Sequence, residues 1–107
     1  MTKRAEYLER QSRDSSTFDA SYQTLGSSLT SPAVLVNIIN NSDQDIDVSL
    51  DATVDHDFVP AKSFFLYDLR ANHGRDADYV LQTGTQFFIK GAAGTGSVYL
   101  VVLRERP

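Results

Sequence analysis

Between residues 43 and 57 the chain carries six aspartates, one histidine and no lysine or arginine. Carboxylates at that density could hold a cation, act as general acid and base, or solvate a surface. Asp43, Asp45 and Asp47 occupy the first, third and fifth places of a calcium loop. Val48 stands where such a loop needs its glycine, and Val54 where it needs the closing glutamate. On an extended strand the three carboxylates would share a face at steps of about 6–7 Å, too spread for one ion. Asp55-His56-Asp57 is a tighter set of acceptors in a loop. A solvated outer face, which also keeps sheet edges from pairing, is the simpler reading. The alternative is a small ligand-binding β-module that takes a glycan or Ca²⁺ on the edge formed by residues 43–57.

Other combinations fall short of a catalytic set. His56 and His73 could each meet an aspartate and a serine, but no G-x-S-x-G elbow is present. There is no cysteine, hence no thiolate nucleophile or thiolate metal site. No glutamate lies between Glu9 and Glu105, so a glycosidase would have to use an aspartate pair. The glycine-rich stretch 91–97 resembles a phosphate loop only superficially, since no lysine follows its last glycine and strand patterns flank it. Phe64, Phe65, Tyr67, Phe87, Phe88 and Tyr99 could stack bases or sugars. Nucleic-acid stacking needs a basic groove, and only Lys62, Lys90 and Arg104 lie nearby. Core packing is the better account of these rings. The doubled Phe-Phe motifs put aromatics on both faces of a sheet, which implies that a neighbouring subunit covers one face. No catalytic, cofactor-binding or metal-ligating residue is assigned, and a non-enzymatic protein is expected.

The elements that would position these residues are short strands. In residues 45–51 Ile46, Val48 and Leu50 alternate with Asp45, Asp47, Ser49 and Asp51, the period-two pattern of a strand wetted on one side. Residues 33–40 are the most apolar stretch, and Asn40-Asn41-Ser42-Asp43 reads as a hairpin turn into 45–51. Further strands are expected at 17–25, 58–59, 62–68, 79–81, 85–90 and 97–104, the last two as a hairpin across 91–96. Seven or eight short strands at this spacing predict an all-β, antiparallel sandwich or jelly roll. Its core should include Val34, Val36, Ile38, Ile46, Val48, Leu50, Phe64, Leu66, Phe88, Val98, Leu100 and Val102. At 107 residues, with 41% hydrophobic and 22% charged residues, the chain suits one globular domain. No apolar run approaches the ~18 residues of a membrane span.

Residues 1–16 differ and are read as an N-terminal arm on a β-sandwich domain of residues 17–107. Glu6-Arg10 and Glu9-Arg13 have helical i,i+4 spacing, but so short a helix is marginal alone. A short helix or an extended arm ordered by a partner is expected. Lys3, Arg4, Arg10 and Arg13 against Glu6 and Glu9 leave residues 1–13 at +2, and the rest at −6 of a total of −4. That contrast makes Lys3, Arg4, Tyr7, Leu8, Arg10 and Arg13 candidate contacts for a neighbour's acidic face at Asp43, Asp45, Asp47 and Asp51. The acidic total argues against direct nucleic-acid binding.

The order of these segments resembles small structural proteins of tailed bacteriophages. The residues that carry it are 40–42 (NNS), 46–51 (IDVSLD), 60–68 (PAKSFFLYD), 84–91 (GTQFFIKG) and 96–99 (GSVY). It extends over residues 17–104 and consists mainly of turn and strand grammar. It implies a virion β-sandwich in a symmetric ring or lattice, of neck, collar, decoration or baseplate type, and carries no catalytic residue over. The partners implied are other copies of the chain and other virion structural proteins, with no membrane and no direct nucleic acid, in a particle assembled in the host cytoplasm.

Overall fold

A computed structural model describes residues 4–68 and 81–106. Nine strands run in chain order through them: β1 (Arg4–Tyr7), β2 (Gln11–Asp14), β3 (Gln23–Leu25), β4 (Ala33–Ser42), β5 (Ile46–Ser49), β6 (Asp57–Val59), β7 (Ser63–Asp68), β8 (Phe87–Lys90) and β9 (Gly96–Arg106). They make two antiparallel sheets. The larger has the order β1-β9-β4-β7, with β2 also on β9; the smaller has the order β3-β8-β5-β6. This is the all-β sandwich the alternation predicts. β4 and β9 are the longest strands, and they lie side by side at the centre of the larger sheet. Apolar residues at both parities suit a strand flanked on each side by another.

Val36 opposite Val102, Ile38 opposite Leu100 and Asn40 opposite Val98 form the inward rows of the larger sheet. They meet Leu25, Ile46, Val48, Val59, Phe87 and Ile89 from the smaller one, and Phe18, Leu29 and Ala33 close the ends. Each such side chain withdrawn from water contributes roughly 1.5–3 kcal/mol before chain entropy is counted.

Several expectations are corrected. Residues 40–43 are not a hairpin turn: β4 continues to Ser42, and β5 belongs to the other sheet. The reason is a buried polar knot. Asn40 Nδ2 donates to the carbonyls of Gln44 (2.8 Å), Val59 (3.1 Å) and Pro60 (3.2 Å), while its Oδ1 accepts from Ser42 Oγ (2.6 Å). One side chain thereby ties the end of β4 to the chain entering β5 and leaving β6. Residues 91–96 likewise cross between sheets instead of closing a hairpin. Gly96, at φ +102°, lies so close to β4 that a Cβ there would collide with the Asn41 carbonyl.

The core list needs similar revision. A bulge between Ala33 and Leu35 resets the parity of β4, so Ala33 and Val36 are buried and Val34 is only half-buried. β5 ends at Ser49, which leaves Leu50 exposed. In β8 the inward residues are Phe87 and Ile89, not Phe88. In β7 Phe65 and Tyr67 lie opposite Ile38 and Val36, so Phe64 and Leu66 point outward. The helix considered before Asp14 is not formed. Residues of the expected arm are strands β1 and β2 laid on β9, and Leu8 N donates to the Val102 carbonyl at 2.9 Å. Pairing with a long strand outweighs the weak helical preference of so short a segment. Of the strand expected at 79–81 only Leu81 falls within the described residues, where it bridges Ala33.

Candidate functional site

The acidic stretch does not converge. Asp43 Oδ1 accepts from Thr95 N at 2.9 Å, and that bond is the main reason its carboxyl is lowered. Asp45 Oδ1 accepts from Ala61 N at 2.8 Å. Asp47 lies on the outer face of the smaller sheet, opposite Lys90, and Asp55 bridges the Lys90 ammonium at 3.0 Å. Asp51 Oδ1 accepts from the amides of Val54 (3.0 Å) and Thr53 (2.8 Å) and from Ser49 Oγ (2.9 Å). These donors bring its carboxyl down to about 2, the Val54 amide contributing most. Asp57 points inward and accepts from the Tyr67 hydroxyl of the other sheet at 2.7 Å. Each carboxylate of Asp43, Asp45 and Asp51 thus fastens a different loop. Among the described residues no group of three or more His, Cys, Asp or Glu side chains is placed to hold a metal ion.

Ser49, Asp51 and His56 do come together, in the geometry of a turn. Ser49 is fully buried, and its hydroxyl donates to Asp51 while accepting from Asp51 N (3.2 Å) and Ala52 N (3.0 Å). His56 Nδ1 accepts from Leu50 N at 3.1 Å, so the lone pair a general base would use is already engaged. His73 lies outside the described residues. A cavity of about 200 Å³ between β2 and the loop after β3 is lined by Leu8, Gln11, Leu29 and Val102 among others. Ser27, Ser28 and Thr30 also line it, so its wall is mixed, and the exposed carboxylate of Glu9 lies at its rim.

The outer face of the larger sheet is a different matter. Directly paired residues of antiparallel strands share a face, and three outward rows follow. They run Tyr7–Leu103–Leu35–Asp68, Val101–Asn37–Leu66 and Ser12–Tyr99–Ile39–Phe64. Of these eleven positions only Ser12, Asn37 and Asp68 are neither aromatic nor aliphatic. Phe64 is 63% exposed, Leu66 48% and Tyr7 69%. A contiguous apolar face of this kind marks an interaction surface more often than chance exposure. The Arg10 guanidinium sits 4.8 Å from the centre of the Tyr99 ring and borders the patch.

The aromatics read together in the sequence are therefore divided. Phe87 is core; Phe65 and Tyr67 face inward with ring centroids 4.4 Å apart; Phe64 and Tyr99 share the outer face; Phe88 lies on the outside of the other sheet. The N-terminal candidates are divided as well. Tyr7 and Arg10 belong to the outer apolar face, Leu8 packs against the core, and Arg13 Nη1 donates to the Thr24 carbonyl at 3.0 Å, joining the two sheets. Arg4 is part of β1, and Lys3 lies outside the described residues. Leu35, Ile39, Val101 and Leu103 were missed as surface residues. The available signal is apolarity at both parities, in residues 33–39 of β4 with Asn37 as the one interruption and in residues 98–103 of β9, which exceeds what one buried face requires.

No family model matches the chain, and no curated protein matches it. A solved structure similar to it is that of the Dit protein of phage SPP1, described as a paradigm of the hub adsorption apparatus in phages infecting Gram-positive bacteria. The match has a TM-score of 0.41 and 9% identity, and covers 96% of this chain and 49% of that one. The chain thus spans about half the length of that protein.

Proposed function

We propose that this chain is a non-enzymatic structural protein of a tailed-phage particle, packed as repeated copies in a symmetric ring or lattice. The observation that carries the reading is the apolar outer face of the larger sheet. A domain whose core is already closed between its two sheets gains nothing from outward rows in which eight of eleven positions are apolar or aromatic, unless another protein surface covers them. The segment resemblance to small phage structural proteins supplies the setting. The partners are further copies of the chain and other virion proteins. With a net charge of −4 the domain is suited to protein contacts and not to direct contact with nucleic acid. Tyr7 and Arg10, on the strands laid along β9, take part in the interface as members of that face. The test is a phage carrying Phe64→Ser with Leu66→Ser. The variant protein should fold and accumulate, yet its copy number in purified particles should fall at least tenfold. Full incorporation would remove the outer face from the interface.

A further inference from the structure

Asn37 stands in the middle of the outer face of the larger sheet. Along β4 it lies between Leu35 and Ile39, which share its face, and across the sheet it lies between Val101 of β9 and Leu66 of β7. Its Oδ1 is buried and has no hydrogen-bond partner among the described residues. Such an oxygen has given up water without gaining a donor, which is costly. The last torsion of an asparagine side chain is soft, so the amide can turn outward, but its four neighbours on the face are all apolar. Whatever covers this face must therefore bring a hydrogen-bonding group to one point at its centre.

We infer that a second copy of this chain covers the face, packed sheet on sheet about a two-fold axis that passes over Asn37. Asparagine is its own complement. Its amide carries both a donor and an acceptor, so two copies related by a two-fold axis exchange a pair of bonds, each Nδ2 donating to the other's Oδ1. An unrelated protein would have to supply a matching group at that one point, whereas a second copy supplies it by symmetry. The spacing suits the pairing: packed sheets lie ~10 Å apart, about the span of two asparagine side chains joined through their amides. Leu35, Ile39, Val101 and Leu66 of one copy then close around the pair against the same four of the other. A lone amide pair inside an apolar interface adds little affinity, but it fixes register and limits assembly to two copies. The charge distribution agrees. A chain of net charge −4 repels its own copies, and the six aspartates of residues 43–57 lie on β5, β6 and the loops beside them. Meeting through the larger sheets leaves both acidic sheets on the outside, away from each other. The inference rests on the reading of this face as an interface and names what covers it in the free protein.

Three rows over four strands offer roughly 400 Å² a side, a small interface, so the dimer should be weak. Sedimentation of the full-length protein between ~5 and ~500 µM should show monomer and dimer in equilibrium and no larger species. At about pH 7.5, Asn37→Asp sets two carboxylates on each other at the axis and should weaken the dimer at least tenfold; Asn37→Lys should do the same. An equimolar mixture of the two variants should restore association as a one-to-one heterodimer, because only then does an opposite charge face each residue 37. Should either variant fail to fold, footprinting of the wild type decides. Labelling of Phe64 and Leu66, 63% and 48% exposed in the free chain, should fall as concentration rises through that range, while that of Phe58 stays constant. A wild type that remains monomeric throughout would overturn the inference. So would variants that dimerise singly as the wild type does, or a mixture that does not associate. A monomeric wild type would leave the expected loss of the Phe64→Ser, Leu66→Ser protein from particles standing, so the two readings fail separately.

Discussion

The two sheets present opposite chemistry to the outside. On the smaller one Asp47 and Lys90 lie side by side, and the Asp55 carboxylate and the Tyr22 ring both engage the Lys90 ammonium. Here exposed polarity is matched locally, as on an ordinary solvated face. On the larger one Leu35, Ile39, Tyr99, Val101 and Leu103 surround a single amide, Asn37, with Ser12 and Asp68 at the margins. The inner faces are alike, since both are aliphatic and closed. What separates the sheets is how much apolar area the outer surface leaves to cover: Phe58 and Phe88 on the smaller one, eight side chains in three adjoining rows on the larger. Stability is therefore decided between the sheets, and the proposed assembly would use the outside of one of them.

The largest expected effect sets inner against outer. Val48 is 1% exposed, and Val48→Asp would bury a carboxylate with no partner, at a cost of several kcal/mol. Phe64→Asp, on the outer face of the larger sheet, should cost about 1 kcal/mol or less in the isolated protein. Denaturant titration checks both, and equal losses would mean that the outer face is interior. Asn40→Ala comes next. It strands carbonyls of Gln44, Val59 and Pro60 at the crossing between sheets, and should cost roughly 2–3 kcal/mol. A loss below ~0.5 kcal/mol would show that the polar knot does not hold the crossing.

Acid sensitivity gives a smaller effect. The Asp51 carboxyl is lowered to about 2 in the folded chain, against an ordinary value near 3.9 when unfolded. Its contribution is present above about pH 4 and is lost as pH falls toward 2. The melting temperature of Asp51→Asn should thus decline less between pH 4.5 and 2 than that of the wild type. Calcium is the smallest. With Asp43, Asp45 and Asp51 each fastening its own loop, millimolar Ca²⁺ should leave the melting temperature unchanged. Saturation at ~100 times a dissociation constant would add about 2.7 kcal/mol, a shift of several degrees that thermal denaturation would not miss.

Sequence alone reveals one sheet better than the other, and the reason is amphipathicity. β5 alternates aspartate with aliphatic residues, so Ile46 and Val48 can be placed inward with no knowledge of their partners. β7 reads SFFLYD, which offers apolar side chains at both parities, and only pairing with Ile38 and Val36 decides that Phe65 and Tyr67 go in. The sheet crossing at Asn40 is hidden for another reason. A polar turn after an apolar strand looks the same for a hairpin and for a change of sheet, and the deciding carbonyls, Val59 and Pro60, are about twenty residues away. The N-terminal strands are concealed because RAEY and QSRD have little local preference and take their shape from β9. As for the candidate site, the acidic residues are visible at once but their loop-fastening partners, Thr95 and Ala61, are not. The apolar face could be read only as an excess of hydrophobic residues, without its position.

The central claim is that the outer face of the larger sheet is an assembly surface and that of the smaller sheet is not. Hydroxyl-radical footprinting of the protein, free and within purified particles, tests this most directly. In the free protein Phe64, Leu66 and Phe58 should all be labelled, as their exposure requires. In the particle Phe64, Leu66 and Tyr99 should become protected while Phe58, on the smaller sheet, stays labelled. Labelling of Phe64 and Leu66 that is unchanged in the particle, or absence of the chain from the particle, would contradict the account.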